Sequence, residues 1–141
     1  MRQAADLGLG GIVTVVILAG EQHAHEQEGA VNAGELDVAE AMIRKASALA
    51  PDEASITDSL GWALYKRGRL PEAIETLQRA AAKDPQQYEI HEHLGDALYA
   101  SGRRYEARFA WQAALLSAEE DVAARIRAKI DTGLTPATAA P

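Results

Sequence analysis

The chain contains no cysteine. That excludes disulfides, thiolate catalysis and cysteine-based zinc sites, and it leaves the redox compartment open. Aromatic residues make up only 5% of the 141 residues. With alanine abundant, this favours helices packed closely through small side chains over a β-sandwich. Positive charge is also short: 14 Lys and Arg stand against 21 Asp and Glu, a net charge of -7. No basic stripe runs along the sequence, which argues against nucleic acid as a partner. Attraction to an anionic membrane surface is disfavoured for the same reason. Long apolar runs are missing too, apart from the uncharged stretch Leu7 to Gly20, which is too short for a stable membrane span. At 48% hydrophobic and 25% charged, the chain has the composition of a folded domain and not of a disordered one.

Residues 1–20 differ from everything after them. Arg2, the apolar run and the small residues Ala19 and Gly20 follow the layout of a secretory signal, although Asp6 is an unfavourable acid within it. The other reading is an apolar element covering the open end of the fold. Localisation stays open between these: cytoplasmic, or cell envelope and periplasmic where 1–20 act as a signal. Gly8, Gly10 and Gly11 do not form a phosphate-cradling loop, because no Lys-Ser/Thr follows them.

A repeat is present instead. Leu60 and Leu94, Gly61 and Gly95, Leu64 and Leu98, Tyr65 and Tyr99, Gly68 and Gly102, Ala73 and Ala107, and Ala80 and Ala114 are each 34 residues apart. A fixed period of this length marks an array of helix pairs. Residues 53–86 form the best unit. Leu60 and Leu64 give its first helix (54–67) an apolar face, and Gly68 stops that helix. Pro71 opens the second helix (71–83), and Pro85 closes it. Ile74, Leu77 and Ala80 supply the buried face of the second helix. Residues 87–118 repeat the plan over 88–101 and 105–117, with Leu94, Leu98, Ala107, Trp111 and Ala114 inward.

Residues 21–52 form a degenerate first unit. His23 and His25 fall two periods before His91 and His93, but Glu26 and Gln27 stand where Leu94 and Gly95 stand later. Its second helix shows Leu36, Ala39, Ile43 and Ala46 on one face, and Pro51 ends it. After the last unit, residues 119–133 read as a capping helix with a narrow apolar stripe of Val122, Ile126 and Ile130. Acids at its start and Arg125, Arg127 and Lys129 toward its end suit the helix dipole. Such a helix covers the last repeat with one face and meets water with the other. Residues 134–141 read as a flexible tail.

These residues resemble the tetratricopeptide repeat (TPR) family, whose pattern is W-x2-L-G-x2-Y…A-x3-F…P. Here the pattern reads Leu60-Gly61…Leu64…Ala73…Leu77…Pro85, then Leu94-Gly95…Leu98…Ala107…Trp111. Thr57 and His91 replace the usual first Trp, and Glu119 replaces the last Pro. The resemblance covers about residues 21–118 and is strong over 55–118, which also looks like the C-terminal repeats of bacterial, proteobacterial-type TPR proteins. The resemblance implies an all-α fold, a right-handed α-solenoid of about three helix-turn-helix units plus the C-terminal capping helix. It implies protein or peptide binding in the concave groove, no catalysis and no cofactor.

The family's groove-facing positions fall on Ser55, Asp58, Trp62, Tyr65 and Lys66 of one helix. On the next they fall on Glu89, Glu92, Asp96, Tyr99 and Ala100, and on the degenerate helix on Glu21, Ala24, Glu28 and Val31. The candidate partner-binding residues are accordingly Asp58, Trp62, Tyr65, Lys66, Glu89, Glu92, Asp96 and Tyr99. This groove is acidic with aromatic anchors, so its expected ligand is a basic or mixed apolar segment. Asp58, Ser59, Trp62, Glu92, His93 and Asp96 stand where TPR co-chaperones carry a carboxylate-binding clamp, and the clamp is absent. The alternative role is structural: self-association, as a homodimer, through residues 1–20 and the incomplete first repeat.

Other chemistry has little support. The His23/His25 and His91/His93 pairs have the wrong helical spacing for a metal, because residues two apart do not share a face. No carboxylates sit in a recognisable acid–base motif, and no nucleophile is paired with a base.

Overall fold

The computed structural model describes residues 33–139. The apolar stretch 1–20 lies outside the described residues. So do the first part of the degenerate unit, residues 21–32, and the groove positions Glu21, Ala24, Glu28 and Val31.

Six helices and no strand make up the described residues. They are α1 (Ala33–Leu49), α2 (Ala54–Lys66), α3 (Leu70–Lys83), α4 (Tyr88–Ala100), α5 (Arg104–Leu115) and α6 (Glu120–Thr132). Each packs on its neighbour in chain order, and α2 also touches α4. A contact pattern of neighbours, with first helix meeting first helix, is that of an all-α solenoid.

The turns within the two pairs are the same. Gly68 adopts φ +78° and Gly102 φ +89°. The amide of Arg69 donates to the Leu64 carbonyl at 3.0 Å, and that of Arg103 to the Leu98 carbonyl at 2.9 Å. Gly68 and Gly102 donate to the Tyr65 and Tyr99 carbonyls. This double bond pattern closes a helix around one left-handed residue, which glycine adopts without a Cβ penalty.

The pairs close through a second glycine. A Cβ on Gly61 would stand 2.5 Å from Leu77 Cγ, and one on Gly95 would run into the Trp111 ring. The bare backbone is therefore the socket into which the partner helix places a large buried side chain. Leu77 and Trp111 are 34 residues apart, so one device serves both units.

Ile43, Ala46, Ile56, Leu60, Leu64 and Ala73 form one buried cluster. A second joins Leu77, Leu98, Trp111 and Ala114 to Ile126 of α6. Leu94 differs from expectation: it is only half-buried, while Ile90, one turn earlier, is fully buried. Ile56 and Ile90 are also one period apart. Leu60, the equivalent of Leu94 on α2, is buried, so the difference is confined to α4, where Leu94 packs at the edge of the core between Ile90 and Leu98.

Two features of the C-terminus also differ. On α6, Ile126 and Ala123 are buried as an apolar face requires, but so is Lys129. The stretch expected to be a flexible tail forms a hydrogen-bonded turn over its described part. There Thr138 Oγ1 donates to the Gly133 carbonyl at 2.9 Å and accepts from the Thr135 amide at 2.8 Å.

Candidate functional site

The candidate residues come from the first helices, α2 and α4. On α2, Asp58, Trp62, Tyr65 and Lys66 follow one another at spacings of four, three and one, which puts them on one side of the helix. The fold gathers them with His93 of α4. The Trp62 ring stacks on Tyr65 with centroids 4.7 Å apart and planes at 19°. It also stacks on His93 at 4.1 Å and 24°. The Lys66 ammonium lies 5.0 Å over the Trp62 ring, a cation–π distance. His93 Nδ1 is 2.8 Å from Asp58 Oδ1.

This cluster has a definite electrostatic character. Burial opposes a charged His93. The charge and hydrogen bond of Asp58 outweigh that, with further help from Asp96 and Glu92, and hold the imidazole above its ordinary value. Burial, assisted by the negative charge of Asp96, pushes the Tyr65 hydroxyl up. Trp62, Tyr65 and His93 each keep part of their surface open to solvent, and Lys66 is exposed.

Glu92 and Asp96 require a correction. The sequence places them in the groove as open acids that attract a basic ligand. Both are buried beneath α6, at 2% and 1% exposure. Arg125 grips Glu92 with two bonds, Nε at 2.9 Å and Nη2 at 2.7 Å. Lys129 Nζ donates to Glu92 at 2.6 Å and to both oxygens of Asp96 at 3.0 and 3.1 Å. Trp111 Nε1–H donates to Asp96 at 3.0 Å. Burial works against the Glu92 carboxylate, yet the hydrogen bonds of Arg125 and Lys129 prevail and hold it below its usual range. For Asp96 burial is the larger effect and leaves it raised, despite Lys129 and Trp111. The basic end of α6 thus neutralises these acids and is not merely placed to suit the helix dipole.

Tyr99 also belongs to this end of the array. It packs on Trp111 with centroids 5.6 Å apart and touches Gly133 at the close of α6. Glu89, Ser55 and Ala100 are exposed.

The residues missed from the sequence are His93, Arg125 and Lys129. A signal was present. Asp58 and Glu92 are one 34-residue period apart, and each is met by a base from the next first helix in the array. His93 does this for Asp58, and Arg125 and Lys129 do it for Glu92. The histidines are separately engaged: His91 Nε2 lies 2.7 Å from the Pro85 carbonyl, while His93 faces Asp58. Among the described residues, no three His, Asp or Glu side chains are grouped to hold a metal.

Residues 61–102 match the family model described as TPR repeat. Over that stretch the chain is similar to the tetratricopeptide repeat. The wider TPR fold is shared with several solved structures. The type III secretion translocator chaperone SycD of Yersinia enterocolitica superposes with a TM-score of 0.71 at 15% identity, covering 87% of this chain and 89% of that one. A T3SS complex from Aeromonas hydrophila gives 0.69 at 21%, over 86% and 79% of the two chains. The O-GlcNAc transferase of Thermobaculum terrenum gives 0.66 at 23%, over 88% of this chain and 22% of the other. At these identities the likeness is one of fold. No curated protein sequence matches the chain. A TPR array is a protein–protein interaction module, and no helix among the described residues is long and apolar enough to cross a membrane.

Proposed function

We propose that this TPR array is a non-catalytic scaffold that binds a peptide or protein segment on the concave surface of α2 and α4. One observation carries the reading: Trp62 stacks on Tyr65 and on His93, has Lys66 over its ring, and stays partly exposed. A rigid, part-exposed aromatic cluster held by an ion pair is an anchor of the kind that dominates binding energy. The ligand is a mixed segment whose apolar side chain meets Trp62 and Tyr65 and whose basic group meets the exposed Glu89. Glu92 and Asp96 do not take part, because α6 already occupies them. The fold shared with a translocator chaperone is in keeping with a role in holding another protein.

The test is affinity capture from the native cell with the full chain and with a Trp62→Ala/Lys66→Ala variant. The partner is expected to be lost from the variant while its circular dichroism melt stays close to wild type. A partner retained by the variant removes the concave surface from consideration. Tyr99 is left unchanged, since it packs on Trp111 and its loss would disturb the fold.

A second reading, a structural module that self-associates as a homodimer, has one observation in its favour. Val38 and Leu49 of α1 are 61% and 67% exposed. Light scattering on the full chain and on a chain beginning at Glu21 separates the two: a dimer lost with residues 1–20 supports self-assembly.

A further inference from the structure

The outer face of α5 is unlike the rest of the molecule. Tyr105 is 75% exposed and Phe109 57%, and their rings meet edge to face with centroids 5.0 Å apart. Arg104 and Arg108 flank them, four residues apart on the same helix. Every other arginine among the described residues lies within 3.6 Å of a carboxylate oxygen. Arg104 and Arg108 have no carboxylate partner among the described residues. Arg104 instead lies 4.8 Å over the Tyr99 ring. Both arginines line a cleft of about 420 Å³ between α5 and the end of α6.

The ring pair and the Arg104–Tyr99 contact contribute some stability, but they do not account for the whole arrangement. Like charges one turn apart on a helix repel. Large rings left in water forgo the burial that would make them stabilising. Exposed Tyr, Phe and Arg together form the composition of an interface core. The face is positive on a chain whose net charge is -7.

We propose that this face is a second docking surface and that it takes an acidic peptide segment of a partner protein. Carboxylates of the segment pair with Arg104 and Arg108, whose planar forks match them. An apolar side chain of the segment lies against Tyr105 and Phe109. A second copy of the chain fits poorly, since two-fold pairing would bring the arginines of one copy toward those of the other. A nucleic acid fits poorly as well. Two arginines neutralise few phosphates, and the net charge of the chain repels a long polyanion far more than a short segment with a few carboxylates. The surface lies on a second helix of its pair, whereas the concave cluster lies on first helices, so the two can fail independently.

The experiment pans a random-peptide phage library on the full chain and, in parallel, on an Arg104→Glu/Arg108→Glu variant. Peptides selected on the wild type are expected to be rich in Asp and Glu beside an apolar anchor. The tightest of them, made synthetically, is expected to bind the double variant at least about tenfold more weakly. Its affinity for Trp62→Ala is expected to stay unchanged. An Arg104→Gln/Arg108→Gln variant repeats the measurement without added repulsion, should the first variant fold poorly. Selection of the same peptides on both proteins, or no enrichment in acids, overturns the proposal. So does loss of binding on Trp62→Ala alone. A short DNA duplex that binds the wild type more tightly than the peptide assigns the face to nucleic acid instead. Self-association of the wild type in sedimentation that the double variant abolishes assigns it to a second copy.

Discussion

The ammonium of Lys129 is fully buried, 2.6 Å from Glu92 and 3.0 Å from Asp96. A lysine leaves water at a high cost unless carboxylates surround it. Here two do, one turn apart on α4, and Arg125 completes the cluster at its edge. The last helix is therefore tied to the array by charge as well as by Ile126.

Lys129→Met should destabilise the fold by about 3–5 kcal/mol, because Glu92 and Asp96 are left buried with too few cations. Urea unfolding measures this. Replacing Asp96 by Leu in the same chain should recover part of the loss. Equal stability of Lys129→Met and wild type would mean that α6 does not close over these acids.

His93 makes stability depend on pH. Burial alone would lower its proton affinity, but Asp58, with Asp96 and Glu92, raises the folded value above the ordinary 6.5. A base whose folded value is raised adds stability that is fully present below the unfolded value. That stability is lost as pH rises through the folded one. The melting temperature of wild type relative to His93→Gln should therefore fall from pH 6.5 upward. A difference that grows with pH would contradict the Asp58 pairing.

Gly95→Ala should cost about 1–3 kcal/mol, since the new methyl meets the Trp111 ring and one of them must move. Gly102→Ala has open space around it, but φ is +89°, so its cost should be about 1–2 kcal/mol, from backbone strain alone. Pairing Gly95→Ala with Trp111→Leu tests the mechanism. Relief in the double variant is expected, and strict additivity would rule out the contact.

Leu98→Ala should cost about 2–5 kcal/mol. Leu94→Ala should cost clearly less, because Leu94 is only half-buried. Urea melts of the two variants side by side decide this, and equal losses would mean that Leu94 is as deeply packed as Leu98.

The 34-residue period made the helix pairs legible, because each pair needs the same small set of shapes. A glycine socket receives a large side chain at 61/77 and again at 95/111, a left-handed glycine closes the first helix, and alanines allow close approach. These are local demands that recur at one spacing. Trp62 and Tyr65 could likewise be placed on one side of α2 from helical spacing alone. The groove acids Glu92 and Asp96 could not be judged in this way, since burial depends on what lies above them. Arg125 and Lys129 are more than 30 residues further along the chain, on a helix that looked like a simple apolar cap.

The sequence by itself determined the repeat, the turns within the helix pairs and the core face of α2, because these follow from neighbours within one or two turns. Only the tertiary structure decided which charges are spent inside the molecule and which are left for a partner. That depends on where α6 lands. There it neutralises Glu92 and Asp96, leaves the Trp62 cluster part-open, and lies across a cleft from Arg104 and Arg108, which have no carboxylate partner among the described residues.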